Sequence, residues 1–259
     1  MRKIKHSIIG FLLALIAVLA VSVAGFLIMP EASTAQAASQ SDLKFYKYSD
    51  YVRVYINNRD AAGDLVIPST YNNKPVKEMG VTHDGKHTKF LTSVTLPNSI
   101  IRVDREAFYQ STALKSAVWS NSADVSPWAF RDCVSLTDVT IPSGVKKIDF
   151  CAFEDCTSLE NITIPDSVTE FGSWVFAGCK TLKNITISKN LIKMEGKAFY
   201  GCTSLKEITL PNSLTSIGNE AFANCSGLVI TYDGTKAEWD AITKGDNAVP
   251  SSVTVVCSD

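Results

Sequence analysis

The sequence has no surplus of either charge. Its 259 residues hold 25 Lys+Arg and 26 Asp+Glu, a formal net charge of −1. Nucleic-acid binders and proteins of anionic surfaces carry a basic excess, so neither class is expected. Glycine and proline are sparse, at 14 and 9, and 46% of the residues are hydrophobic. That composition excludes collagen-like, mucin-like and disordered chains. Signatures of chemistry are missing as well. No Cys-x-x-Cys pair occurs among the seven cysteines; metal sites need such clustered ligands, so no metal and no cofactor is predicted. There is no Gly-x-Ser-x-Gly elbow and no phosphate-cradling glycine loop. His83 and His87 flank Asp84, but Gly85 breaks any helix that would align them, and they read as a solvated loop. An enzyme is not expected.

What is present begins with an address. Arg2, Lys3 and Lys5 precede an uncharged, mostly apolar run from Ile8 to Met29, and Pro30 ends it. Ala35-Gln36-Ala37 then supplies the small-x-small pattern of a cleavage site. Residues 1–38 are read as a signal peptide cut after Ala37 or Ala38. The alternative is an uncleaved anchor, since 22 helical residues at about 1.5 Å each span a hydrocarbon core. Membrane contact is expected only through this segment, and only if it stays uncleaved. Removing it takes away three basic residues and Glu31, leaving a mildly acidic body.

That body is periodic. A leucine opens each apolar cluster at Leu91, Leu114, Leu136, Leu159, Leu182, Leu205 and Leu228. Phenylalanine keeps the same beat at Phe108, Phe130, Phe153, Phe176, Phe199 and Phe222, and cysteine at Cys133, Cys156, Cys179, Cys202 and Cys225. Three residue types in one register of 22–23 residues mean a solenoid. Within a coil, Leu159, Ile162 and Ile164 occupy positions 1, 4 and 6 of a strand with one buried face. Pro97, Pro142, Pro165 and Pro211 follow and are expected to stop the strand, because proline cannot donate a ladder hydrogen bond. A second buried position comes next, at Val103, Val125, Ile148, Phe171, Met194 and Ile217. An Ala-Phe-x-x-Cys corner, expected to be one turn of 3₁₀ or α character, returns the chain to the next leucine. One coil cannot bury enough apolar surface to offset the ordering of its residues, so stability must come from stacking.

Both ends of the stack are covered. Tyr51–Ile56 alternates like a strand, and Leu65-Val66-Ile67-Pro68 looks like a degenerate first coil. At the other end Thr235-Lys236-Ala237-Glu238 is a capping box opening a short helix through Trp239 and Ile242, and Ser252 to Cys257 reads as a closing strand. The expected organisation is 1–38 signal peptide, 39–90 N-terminal cap with the first repeat, 91–227 repeats and 228–259 C-terminal cap.

These segments resemble a known family, the BspA-like, Treponema-type leucine-rich repeats. The resemblance rests on Leu159-Glu-Asn-Ile-Thr-Ile-Pro-Asp-Ser-Val168 and Ala198-Phe-Tyr-Gly-Cys-Thr-Ser-Leu205, with the entry segment from Val66 to Val76 and the exit segment from Tyr232 to Ile242. It covers nearly everything from residue 42 onward. It implies a fold that is α/β by classification but β-rich: a right-handed horseshoe solenoid with a parallel sheet on its concave face. It also implies a secreted or surface-exposed bacterial protein, with adhesion and host-protein binding among the family's roles and no catalytic residues in the fold. One coil departs from the pattern. Leu114-Lys-Ser-Ala-Val-Trp119 puts Ala117 and Trp119 at buried positions and is a residue short, and a local kink is expected there.

Five cysteines at the same point of successive coils do not look like a disulfide framework. Parallel side chains keep their sulfurs near the coil spacing of about 4.8 Å, far from a bond of about 2.05 Å. They are expected as a buried row of reduced thiols, while pairing of Cys151 or Cys257 stays open. Two surfaces are candidates for binding. The outward strand positions form a strip that includes Asp138, Thr140, Asn161, Thr163, Asn184, Thr186, Glu207 and Thr209. The alternative reading of this strip is a plain soluble face built of β-favouring threonines. Its carboxylates Asp138 and Glu207 stand three coils apart, about 14 Å, which is too far for a glycosidase pair. Asn161-Ile-Thr163 and Asn184-Ile-Thr186 match the glycosylation pattern, which is taken as accidental beside a bacterial-style cleavage site. The second candidate is the position before each Ala/Val-Phe, where Trp128, Cys151 and Trp174 follow one another; tryptophans there serve either as interface anchors or as corner filler. The expected function is an exported binding module, for protein–protein interaction or adhesion at the bacterial surface. Its expected ligand is a protein or glycan of host matrix or envelope. The competing expectation is a passive spacer of the envelope. The chain is expected to be released, or held by its N-terminal segment.

Overall fold

The computed structural model describes residues 38–58, 60–81 and 88–258. The expected signal peptide, up to Ala37, and the expected solvated loop of His83 and His87 lie outside the described residues. From residue 62 onward the chain winds in coils, most of them built of a strand, a second two-residue strand and a turn-rich corner; the coil of Ser116–Val118 has a single bridge, Val125 to Ile148, in place of the second strand. The leucines that set the period are at the centre: Leu91, Leu114, Leu136, Leu159, Leu182, Leu205 and Leu228 are fully buried.

Among the described residues nine parallel strands line the first side, and they do not form one ladder. Ala62–Val66, Phe90–Thr95, Ser116–Val118 and Asp138–Thr140 make one sheet, Asn161–Thr163 and Asn184–Thr186 a second, and Glu207–Pro211, Val229–Asp233 and Thr254–Cys257 a third. Pro211 therefore closes its strand from within rather than following it, paired with Asp233; the last residue of a strand can spare its N–H. The second side is more continuous, with Lys147–Ile148, Glu170–Phe171, Lys193–Met194, Ser216–Ile217 and Thr243–Lys244 in register through five coils.

The corner differs from the expected helical turn. In one coil Ala129 N–H bonds Ser126 O and Cys133 N–H bonds Phe130 O, each a four-residue turn. The third residue of each has positive φ, Trp128 at 55° and Asp132 at 59°. The reason lies in the alternate amides. Trp128, Phe130 and Asp132 donate not within their coil but to Phe150, Ala152 and Glu154 of the next, at 2.9, 2.8 and 2.9 Å. A helix would turn these donors inward; left-handed residues turn them across the stack. The second left-handed position holds Gln110, Asp132, Asp155, Gly178, Gly201 and Asn224, and all but Gln110 are types that tolerate it.

The corner also organises the core. Phe108, Phe130, Phe153, Phe176, Phe199 and Phe222 stack with ring centroids 5.3–5.6 Å apart and planes within 14°. Beneath them, each row cysteine donates its S–H to the phenylalanine carbonyl of the preceding coil: Cys156 to Phe130 at 3.1 Å, Cys179 to Phe153 at 3.1 Å and Cys202 to Phe176 at 3.1 Å. All seven cysteines are unbridged, including Cys151 and Cys257.

The short coil at Leu114 does not kink the ladder. Ser116, Ala117 and Val118 pair in register with Ser93, Val94 and Thr95 on one side and Asp138, Val139 and Thr140 on the other. Trp119 is buried, edge-on to Phe130 at 5.3 Å, with its Nε1 donating to Ala123 O.

At the N-terminal end Val52–Ile56 forms the expected strand, parallel to Lys74–Gly80, and it is backed by an antiparallel strand, Leu43–Lys47, that the sequence reading missed. Arg53 ties this cap to the coils through Glu78 at 3.3 Å and through Asp104. At the other end the capping box is present. Thr235 accepts from Glu238 N–H and opens the helix Lys236–Ala241, which seats Trp239 against Tyr232 at 5.3 Å. Thr235→Ala is expected to destabilise this cap by about 1 kcal/mol. Hydrogen exchange of residues 236–242 reads it out, and unchanged protection there would show that the box carries no stability.

Candidate functional site

The strand side gathers all eight polar candidates of the strip. Asp138, Thr140, Asn161, Thr163, Asn184, Thr186, Glu207 and Thr209 are exposed, while the residues between them turn inward. Register stacks like upon like: Asn161 opposes Asn184, and Thr163 opposes Thr186. The amides link, Asn184 Nδ2 donating to Asn161 Oδ1 at 2.7 Å.

Two adjoining troughs run over this strip. One, of about 460 Å³, is lined by Asp138–Ile141, Asn161–Thr163 and Pro165. The other, of about 290 Å³, is lined by Asn161–Thr163, Asn184–Thr186 and Glu207–Thr209. They share the strand Asn161–Thr163. Each has the same cross-section: a rail of amides and carboxylates at the first outward position and a rail of threonine hydroxyls at the second, with the main chain of Val139, Ile162, Ile185 and Ile208 between them. The side chains of these middle residues turn into the core, as their inner positions in the repeat imply. Ile185 is nevertheless partly accessible, where Ile162 and Ile208 are not.

Each trough straddles one of the two breaks in the strand ladder, between Asp138–Thr140 and Asn161–Thr163 and between Asn184–Thr186 and Glu207–Pro211. Parallel strands point the amide and carbonyl of alternate residues to opposite neighbours. Asn184 N–H and Glu160 O bond each other, as do Ile164 N–H and Thr186 O, so the even-numbered residues of this strand face forward. The backbone groups of Val139, Asn161 and Thr163 thus face the first break, and those of Ile185, Glu207 and Thr209 face the second.

The tryptophans are elsewhere and apart. Trp128 and Trp174 are half-buried at left-handed corner positions, with φ of 55° and 63°. Buried Cys151 lies in the coil between them. Each is covered by its own neighbours: Arg105 sits 4.4 Å over the Trp128 ring with Phe150 edge-on at 4.9 Å. Lys197 sits 4.4 Å over the Trp174 ring beside Tyr200. The arrangement is two separate clusters, not a continuous aromatic edge.

Burial pushes the thiol pKa of every row cysteine above its ordinary value; that of Cys225, nearest the C-terminal cap, is pushed up to about 11. Such thiols are poor nucleophiles and poor ligands. Among the described residues no group of three or more His, Cys, Asp or Glu is placed to hold a metal ion.

The repeat family described as BspA type leucine-rich repeat region matches residues 86–126 and 123–238, in six copies. The chain belongs to the BspA-type leucine-rich repeat family. Its fold is shared with solved members of the leucine-rich repeat class. A leucine-rich cell surface protein from Faecalibacterium prausnitzii is 28% identical with a TM-score of 0.62, covering 78% of this chain and 55% of that one. This chain thus spans about half the length of that relative. A leucine-rich repeat protein from Bacteroides ovatus is 20% identical with a TM-score of 0.59, covering 84% and 70%. The T. pallidum leucine-rich repeat protein is 20% identical with a TM-score of 0.55, covering 81% and 86%. No curated protein matches the chain.

Proposed function

We propose that this BspA-type repeat protein is an exported, non-enzymatic binding module of the bacterial cell surface that adheres to its partner through the strand strip. The observation that carries the reading is the convergence of eight exposed polar side chains, contributed by four successive coils, on two adjoining troughs. A plain soluble face would carry such residues without a trough beneath them. The carboxylates Asp138 and Glu207 belong to different troughs, an arrangement for recognition rather than acid–base chemistry. Surface location is supported by the F. prausnitzii relative, which is described as a cell surface protein, and by the export pattern of residues 1–38.

The strip is tested against the corner with paired variants. Asn161→Arg with Asn184→Arg places two cations in the troughs. Trp128→Ser with Trp174→Ser removes both corner aromatics. Attachment to immobilised matrix components and to isolated envelopes is measured after circular dichroism shows each pair folded. The strip pair is expected to lose at least about tenfold in attachment, the loss of one or two buried hydrogen bonds, and the tryptophan pair to keep it. Loss in the tryptophan pair alone would move the site to the corner. Absence of attachment by the parent protein to every surface would favour a spacer.

A further inference from the structure

We propose that the thiol row is a redox-sensitive folding switch: the folded chain resists disulfide oxidants, whereas oxidation before folding bars the chain from its native state. The oxidant in question is a small-molecule disulfide such as oxidised glutathione.

The row runs through the middle of the solenoid at one position of the corner. Cys133, Cys156, Cys179, Cys202 and Cys225 are each no more than 1% exposed. Each closes the same turn, its N–H bonded to the phenylalanine carbonyl of its own coil at 3.1–3.3 Å. Each also donates its S–H one coil back; at the two ends of the row Cys133 bonds Phe108 O and Cys225 bonds Phe199 O, both at 3.0 Å. That second bond needs the proton. A thiolate would set a negative charge against a carbonyl oxygen, and a disulfide sulfur has nothing to donate. The fold therefore admits these five only as S–H groups.

Neighbouring members of the row cannot bridge in place. Their sulfurs stand near the coil spacing of about 4.8 Å, and a disulfide needs about 2.05 Å. The rings from Phe130 to Phe222, stacked 5.3–5.5 Å apart, keep the coils from closing that gap.

A disulfide oxidant reacts with the thiolate. Attack of one cysteine on RSSR forms a mixed disulfide and releases one RS⁻; a second cysteine then displaces the other. Two cysteines lose two electrons and two protons, and the oxidant leaves as two RSH. In the native chain the first step is blocked twice, because no oxidant reaches these sulfurs and burial disfavours the thiolate. In the unfolded chain the same thiols are ordinary. Neighbours along the row lie 23 residues apart in sequence, a loop that closes at small entropic cost. Seven cysteines are also an odd number, so one per chain is left to link a second chain.

The N-terminal end of the row shows that the position does not require sulfur. Ser111 stands there in the coil of Phe108, fully buried, with its N–H bonded to Phe108 O at 3.0 Å and its hydroxyl 3.1 Å from that of Thr88. A hydroxyl, which no disulfide oxidant attacks, fits the same turn.

The test applies the oxidant after folding and before it. Native chain held in oxidised glutathione in mildly alkaline buffer should keep its circular dichroism and gain glutathione only on half-buried Cys257. Chain unfolded in urea with the same oxidant and then diluted should recover at least about tenfold less native signal than chain diluted into dithiothreitol. Dithiothreitol added afterwards should restore it. Serine at all five row positions, on the pattern of Ser111, with Cys151→Ala to remove the other buried thiol, should refold equally with and without oxidant. Row cysteines bridged or glutathionylated in the native chain would overturn the proposal. Full recovery from oxidised urea would do so as well, as would trapping that persists in the serine variant. Should that variant not fold in dithiothreitol, the first two measurements on the parent chain decide the question.

Discussion

Leu159→Asp is expected to unfold the centre of the solenoid, whereas the neighbouring Glu160→Lys should leave it nearly unchanged. Leu159 has no exposed surface and packs where coils meet on both sides. An aspartate there is a buried charge without a partner, on top of the lost aliphatic volume, and costs at least about 3–5 kcal/mol. Each coil leans on two neighbours, so the damage spreads along the stack instead of staying in one turn. Glu160 is exposed and its contact with Lys183 is a surface pair, worth at most about 1 kcal/mol. Thermal melts of the two variants decide the matter, with hydrogen exchange locating the loss between residues 136 and 205. Equal melting temperatures would mean that the register of buried positions is wrong.

The second large effect is alkaline. In the folded chain Cys133, Cys156, Cys179, Cys202 and Cys225 hold their protons far above the ordinary thiol value of 9.0, because burial disfavours the thiolate. Unfolding returns them to that ordinary value. A group whose pKa is raised by folding contributes stability that is complete below its unfolded pKa and is lost as pH climbs above it. Each such thiol removes about 1.4 kcal/mol per pH unit once the unfolded form ionises. With these five and buried Cys151, whose thiol is raised as well, the slope steepens toward six times that value between pH 9 and about 11, where Cys225 begins to ionise in place. Urea midpoints should therefore be flat from pH 6 to 8.5 and fall sharply beyond. Cys156→Ala with Cys179→Ala should remove one third of the thiol slope, which separates it from tyrosine and lysine titration. Iodoacetamide should label none of the five before denaturation and all five after it. A flat midpoint to pH 10.5, or five rapid labels on the native chain, would show that these thiols are not buried.

Much of this was readable from residues alone, for a physical reason. Burial in a stack repeats with the coil, so Leu159, Phe153 and Cys156 each reveal their place by recurring. The capping box at Thr235 and Glu238 was legible because it is local. The left-handed corner was written in the sequence but read as a helical turn: Asp132, Asp155, Gly178, Gly201 and Asn224 are the residue types that tolerate positive φ, recurring once per coil. The ladder breaks were not legible. Val139, Ile162, Ile185 and Ile208 are nearly alike, and whether two such strands bond depends on how the whole stack spaces its coils. The kink expected at Leu114 failed for a related reason. Ala117 and Trp119 break the pattern of side chains, but the main chain keeps its pairing on both sides, and Trp119 finds its own partners in Phe130 and Ala123.

The uniform stacking has a consequence for how such a chain changes over generations. A duplication or deletion of one coil's length anywhere between Leu136 and Leu205 joins chemistry to identical chemistry, phenylalanine ring on phenylalanine ring and cysteine S–H under a phenylalanine carbonyl. Unequal recombination between neighbouring repeats therefore yields a longer or shorter protein with no new core to invent. The polar rails lengthen or shorten with it, one rung at a time, so the reach of the surface can be selected separately from its fold.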